Sequence, residues 1–225
     1  MQKTKVNIFI DGGNFYHLVL RKLGITELDF DFDKFATFLA NDREIVAMGK
    51  RYYIGTVMEK EGDVRSKEAM SKQTTLFTKL KNSHWEIKTS KLRKRMEEIK
   101  IDDRVVDYKK LLKLGIQKIE YERMREKGID VKLATDLIVG AIDKKYDTAI
   151  VVSSDTDIVP AIDWVRNRTD KKVEYVAFSI IDNEDKKKST NPSLTLIAKT
   201  DIKRTLVVSD LKPFIQENLF NQIKG

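Results

Sequence analysis

The sequence has no cysteine, only two histidines and only three prolines in 225 residues. Without thiols there can be neither disulfides nor a thiolate metal site, and two histidines leave little for a zinc centre. A metal held by this chain has to rely on oxygen ligands. No run of 18 apolar residues occurs, so no membrane partner is expected. The opening residues MQKTKVNIFID run into a charged strand start with no apolar leader and no small-residue cleavage signal, so the expectation is a cytoplasmic protein.

Hydrophobic letters make up 41% of the chain, enough to fill one sizeable core without staples. The formal charge is +8, and all of it sits in the middle. Residues 60–127 hold 20 Lys/Arg against 12 Asp/Glu, while the rest of the chain holds 23 of each. A local basic excess suits a polyanion such as nucleic acid, because neutralised phosphates release counterions. It equally suits a pair of solvated, lysine-rich helices.

Strand and helix patterns alternate. VNIFI reads as a buried strand, NFYHLVLRKLG as a helix closing on Gly24, DFDKFATFLAN as a second helix, and VAMGKRYYIGTV as a strand with an irregularity at Gly49. A long helix is expected over about Asp63–Asn82, then a strand in WEIKTSKL. Residues 91–127 receive no assignment and read as a candidate insertion with its own strand or helix. After Gly128 come the helix DVKLATDLIVGAIDKKY, the strand TAIVVSS, the helix DIVPAIDWVRNR with Pro160 in its first turn, and the strand KKVEYVAFS. A polar loop, DNEDKKKSTNPS, precedes a short helix, a strand and a closing helix in LKPFIQENLFNQI. Such alternation predicts a mainly parallel sheet covered by helices on both faces, and one domain over 1–225 with a basic segment at about 60–127.

Ligand sites in open parallel α/β sheets lie beyond the carboxyl ends of the strands. Asp11 ends the VNIFI strand and Asp155 ends TAIVVSS, so neighbouring strands would bring both carboxylates to one edge. Asp157 and Asp130 are expected at the N-caps of the helices that follow, a role in which aspartate is common. Four acids at one edge repel one another and raise each other's pKa unless a cation neutralises them, and Mg2+ or Mn2+ is the cation that oxygen ligands choose. Asn14, one turn beyond Asp11, can contact a phosphate, orient Asp11 or cap the helix. Gly12 and Gly13 permit a tight turn and close backbone approach. Ser153 and Ser154 can bond a phosphate or only satisfy the strand end. Lys132 and Asp136, at i and i+4, form either a surface ion pair in its less favourable order or a face turned to the site.

Three ordered blocks, IFIDGGNFYH, KGIDVKLATDLI and VVSSDTDIVPAI, make the sequence resemble the NYN domain family, the PIN-like nucleases that include the LabA-like bacterial proteins. The resemblance implies a three-layer PIN-like, Rossmannoid α/β fold and a metal-dependent ribonuclease site. Its residues would be Asp11, Asp130, Asp155 and Asp157, with Asn14 and Asp136 in support and Mg2+ or Mn2+ as cofactor; Ser154 and Lys132 are supporting candidates from the reading of the residues alone. Ser154 stands where family members usually have glycine. RNA, single-stranded or structured, is the implied partner, and a homodimer is allowed. Arg93, Lys94 and Arg95 are candidate backbone contacts, and Trp85 a candidate stacking aromatic, with Tyr52, Tyr53 and Tyr108 more naturally core. Two other readings stay open. One is a non-catalytic RNA-binding or regulatory module. The other is a haloacid dehalogenase-type phosphohydrolase, whose chemistry wants a second acid two residues after the first, where this chain has Gly13.

Overall fold

The structure is a computed structural model that describes residues 3–59, 61–91, 93–125, 128–182 and 189–216. Its centre is a six-stranded sheet in the order β3-β2-β1-β6-β7-β8. The strands are β1 (Lys5–Asp11), β2 (Glu44–Thr56), β3 (Glu86–Lys91), β6 (Thr148–Val152), β7 (Lys172–Ser179) and β8 (Ile202–Val207). Every pairing in this sheet is parallel. β1 and β6 are buried almost end to end, as continuous apolar strands flanked on both sides by neighbours should be.

Alternation along β1 feeds two cores. Val6, Ile8 and Ile10 face one side, packed under the helix that follows β1 (α1, Gly12–Phe15, continuing as π-helical turns to Leu20), α2 (Phe32–Ala40) and α3 (Val64–Asn82). Phe9 faces the other, beneath α5 (Ile129–Ile142), α6 (Val159–Arg168) and α7 (Leu194–Lys199). The result is the three-layer α/β arrangement expected of a PIN-like fold, with helices on both faces. The chain ends its described course in α8 (Val208–Leu211) and a 3-10 turn, so most of the expected closing helix lies outside the described residues. The polar loop is described only at its flanks. Among the described residues, no helix is long and apolar enough to cross a membrane.

The irregularity anticipated at Gly49 is real. Val6 pairs with Ile45 but Ile8 pairs with Lys50, so β2 carries three extra residues there, with Met48 in a left-handed conformation. A Cβ on Gly49 would lie 2.8 Å from the Val46 carbonyl and 2.9 Å from Asn7 Oδ1, which only glycine avoids. Residues 91–127, unassigned from sequence, contain a separate two-stranded antiparallel ribbon, β4 (Arg93–Lys100) and β5 (Lys118–Arg125), with α4 (Tyr108–Lys113) between its strands.

Trp85 corrects an expectation. It is only 3% exposed, its indole N–H donates to Asp33 Oδ1 at 2.9 Å, and its ring meets Phe32 edge-on, so it belongs to the core and offers no face to a base. Tyr52 and Tyr53 are likewise fully buried.

The foot of α2 is held by charge. Glu174 on β7 is completely buried, and its carboxylate receives Arg43 at 2.7 Å and Arg204 at 2.6 Å. Both guanidinium groups also donate to the last carbonyls of α2, Arg43 to Leu39 and Ala40, and Arg204 to Phe38 and Leu39. Cations belong at a helix C-terminus, where the peptide dipoles leave partial negative charge. Removing the acid would leave two half-buried cations facing each other, so Glu174→Gln should lower stability by about 2–3 kcal/mol. Urea unfolding would show this as a reduced midpoint with an unchanged m-value.

Candidate functional site

β1 lies between β2 and β6, and this placement assembles the acidic edge. Asp11 is the last residue of β1 and shares the alternation of Phe9, so it turns toward the α5 and α6 side of the sheet. Its carboxylate caps α1 by accepting from the Asn14 N–H at 2.9 Å, and it also accepts from Ser153 Oγ at 3.3 Å. Ser153 Oγ in turn accepts from the Asp155 N–H at 3.1 Å. One hydroxyl thus joins the end of β1 to the segment leaving β6. A second tie runs beside it, where Asn14 Oδ1 accepts from both the Ser154 N–H at 3.0 Å and its hydroxyl at 3.1 Å. Asn14 and Ser154 therefore brace each other. Gly12 is required for a steric reason: a Cβ there would collide with the Tyr52 ring.

Two capping assignments differ from the sequence expectation. Asp155, not Asp157, caps the 3-10 turn Thr156–Ile158, accepting from the Asp157 N–H at 2.9 Å. Gly128, with φ of 84°, occupies the N-cap of α5, and Asp130 is the second residue inside the helix. Neither Asp130 nor Asp157 is used as a cap, which removes the ordinary structural explanation for each of them.

α5 packs against the 3-10 turn after β6, which places Asp130, in its first turn, at the same edge. Its carboxyl is held above the ordinary aspartate range, first by partial burial and then by the negative charges of Asp155 and Asp157. That is the behaviour of carboxylates gathered without a counter-charge. Asp136, one and a half turns further along α5, is in the opposite situation. It accepts from the Tyr53 hydroxyl at 2.8 Å and lies 3.7 Å from both Arg51 Nη1 and Lys88 Nζ. Burial, then the Asp136 charge, pushes the Tyr53 hydroxyl far up, so it remains a donor. Lys132 does not pair with Asp136 as the helical spacing allowed; its ammonium donates to the Thr89 carbonyl of β3.

The Arg51, Tyr53 and Lys88 wall was not found from sequence. The sheet register creates it: Asp11, Tyr53 and Lys88 are Cα partners in one row across β1, β2 and β3, and that row depends on the extra residues in β2. Of the proposed backbone contacts, Lys94 is ion-paired with Glu122, while Arg95 is exposed. The backbone of Arg93 is placed opposite Arg125.

Among the described residues, no three acidic or histidine side chains stand close enough to enclose a metal ion as they are. The donor set nevertheless suits a hard divalent cation. It is all oxygen, it comes from three chain segments, and it carries the mutual repulsion that such a cation relieves.

The family model for the NYN domain matches residues 5–203. A curated relative, 6-hydroxy-3-succinoylpyridine 3-monooxygenase HspA of Pseudomonas putida, is 26% identical over 190 residues, covering 78% of this chain and 60% of that protein. The chain thus spans less than two thirds of that relative's length. A solved structure of a Vibrio parahaemolyticus protein of unknown function aligns with a TM-score of 0.53 at 19% identity, covering 91% of this chain and 94% of that one, and supports the fold.

The raised Asp130 carboxyl has a thermodynamic consequence. Above its folded-state pKa the charged group costs the folded state more than the unfolded chain; that cost disappears as pH falls below the ordinary value of 3.8. Asp130→Asn should therefore raise Tm at pH 7 in chelator, with a gain that shrinks steadily in melts taken toward pH 3.5.

Proposed function

Since the chain belongs to the NYN domain family, we propose that it is a ribonuclease hydrolysing RNA phosphodiester bonds at the edge formed by Asp11, Asp130, Asp155 and Asp157, with Mg2+ or Mn2+ as cofactor. One observation carries this reading. Aspartates from the end of β1, the start of α5 and the segment after β6 face one edge of the sheet, short of enclosing an ion as they stand, and Asp130 is raised by the charges of Asp155 and Asp157. Stability alone would not favour such a grouping.

The four carboxylates would hold the cation. A divalent ion supplies an activated water and neutralises charge developing on the leaving oxygen. Ser153 fixes the separation of Asp11 and Asp155, and the Asn14–Ser154 pair keeps the two chain segments from parting. Asp136 shares Arg51 and Lys88 with Glu86, so its part is to hold those two side chains in place beside the acids. No histidine is needed. His17 is an exposed residue of the helix after β1.

The name of the Pseudomonas putida relative sets a second reading, oxygenation of a small heteroaromatic ring. A cavity of about 420 Å3 with Leu28, Ile54 and Leu76 on its apolar side and Glu27, Lys72 and Gln73 on its polar side favours it by size. That cavity lies on the α1 and α3 face of the sheet, whereas the acids turn to the other face, so the two readings use different parts of the molecule.

Purified protein incubated with single-stranded and structured RNA, with Mn2+, with Mg2+ or with chelator, tests the proposal. Metal-dependent products should form, and Asp155→Asn should slow their formation at least ~100-fold, about 2.7 kcal/mol in barrier. Intact RNA in every arm, with binding unaffected by Asp155→Asn, would favour the non-catalytic RNA-binding module. Oxygen uptake with 6-hydroxy-3-succinoylpyridine and a two-electron donor such as a reduced nicotinamide would favour the second reading.

A further inference from the structure

The ribbon β4–β5 has two unlike faces. Directly opposed residues in an antiparallel pair share a face, so Lys94, Met96, Glu98 and Lys100 stand with Glu122, Glu120 and Lys118. That face holds three cations and three acids, with Lys94 paired to Glu122 and Lys118 to Glu98 and Glu120, while Lys100 makes no ion pair among the described residues. The other face carries Arg95 opposite Arg123, Glu97 opposite Tyr121, and Ile99 opposite Ile119. Glu97 is shared with the Tyr121 hydroxyl at 2.9 Å and reaches Arg123 only at 3.4 Å. Arg95 is exposed and makes no ion pair among the described residues.

Like charges directly opposite each other weaken a strand pair. Here Arg95 faces Arg123, and the next pair two residues along is Arg93 with Arg125. Within the ribbon the Arg95 and Arg123 guanidinium groups gain little, Arg123 reaching only Glu97 and Arg95 making no ion pair among the described residues. They have a use if an anion lies across them, since guanidinium groups bind phosphate oxygens through two parallel hydrogen bonds.

The position of these pairs in the chain is equally informative. They occupy the root of the ribbon, where β4 follows β3 and β5 leads into α5. β3 and α5 both border the acidic edge, and seven residues of chain keep Arg123 within about 25 Å of Asp130. We propose that this arginine face of the ribbon root binds the RNA phosphodiester backbone and carries it toward the acidic edge, while the opposite, charge-balanced face does not. The inference deepens the ribonuclease reading by naming where the substrate lies, and it rests on that reading for its choice of RNA as the polyanion.

The test measures binding of single-stranded RNA to full-length protein carrying Asp155→Asn, in chelator, so that cleavage plays no part. Two double variants remove equal charge from the two faces: Arg95→Gln with Arg123→Gln, and Lys94→Gln with Lys118→Gln. The arginine pair should weaken binding at least 10-fold near 0.1 M salt and reduce the slope of log K against log salt by about 1.4, the loss of two single-strand phosphate contacts. The lysine pair should change affinity less than about threefold, and thermal melts should show the arginine variant close to its parent, the lost Arg123–Glu97 contact being offset by removal of the Arg95–Arg123 repulsion. Equal losses from the two variants, an unchanged arginine variant, or no RNA binding by the parent would each overturn the inference. Loss of cleavage in Asp155→Asn without any effect of the arginine pair would leave the ribonuclease reading standing and remove only this one.

Discussion

The candidate site depends on β1 being clasped between β2 and β6 in parallel register. The Ile10–Val152 pairing ends the two central strands at the same level, so Asp11 and the segment after β6 emerge side by side. Ser153 then turns proximity into fixed geometry, donating to Asp11 while accepting from the Asp155 N–H, and Asn14 repeats the clasp through Ser154. These are buried or partly buried hydrogen bonds, one of them to a carboxylate, and losing a partner there would leave a buried polar group unsatisfied. The two apolar cores on either side of the sheet keep the strands in place for them.

On that frame the charges are sorted. Asp136 is matched by Arg51, Lys88 and the Tyr53 hydroxyl, and Glu174 by Arg43 and Arg204, both far enough into the protein that an unmatched carboxylate would be expensive. At the edge the matching stops. Asp130, Asp155 and Asp157 repel, and partial burial compounds the effect at Asp130. Proteins accumulate such local costs where something outside the chain relieves them. Beside this negative edge the β2–β3 wall is charge-balanced, Arg51 and Lys88 being shared between Asp136 and Glu86, so in the proposal the charge that draws a phosphodiester falls to the ribbon root.

Much of the arrangement could be read from the sequence, because its signals were local. Buried strands, amphipathic helices and the break at Gly49 all follow from side-chain pattern, and strand-end aspartates in a parallel sheet point to one edge by a general rule. The two helix caps were misplaced by two residues each: α5 starts from a left-handed Gly128 without a side-chain cap, and Asp155 caps the 3-10 turn that precedes α6. Trp85 looked like a surface aromatic between polar neighbours, yet a left-handed His84 turns the chain and buries it. The Arg51, Tyr53 and Lys88 wall, and the arginine pairs of the ribbon, exist only through register between strands far apart in sequence, and a single chain carries no local mark of register.

The central claim is that the acidic edge is built to take a divalent cation. Titration calorimetry of Mn2+ into the metal-free protein tests it directly, alongside Asp155→Asn and Asp136→Asn. Saturable binding should be present in the intact chain, lost with Asp155→Asn and retained with Asp136→Asn, whose carboxylate already has its cations. The absence of saturable heat in the intact chain, or binding by Asp155→Asn as strong as the parent's, would contradict it.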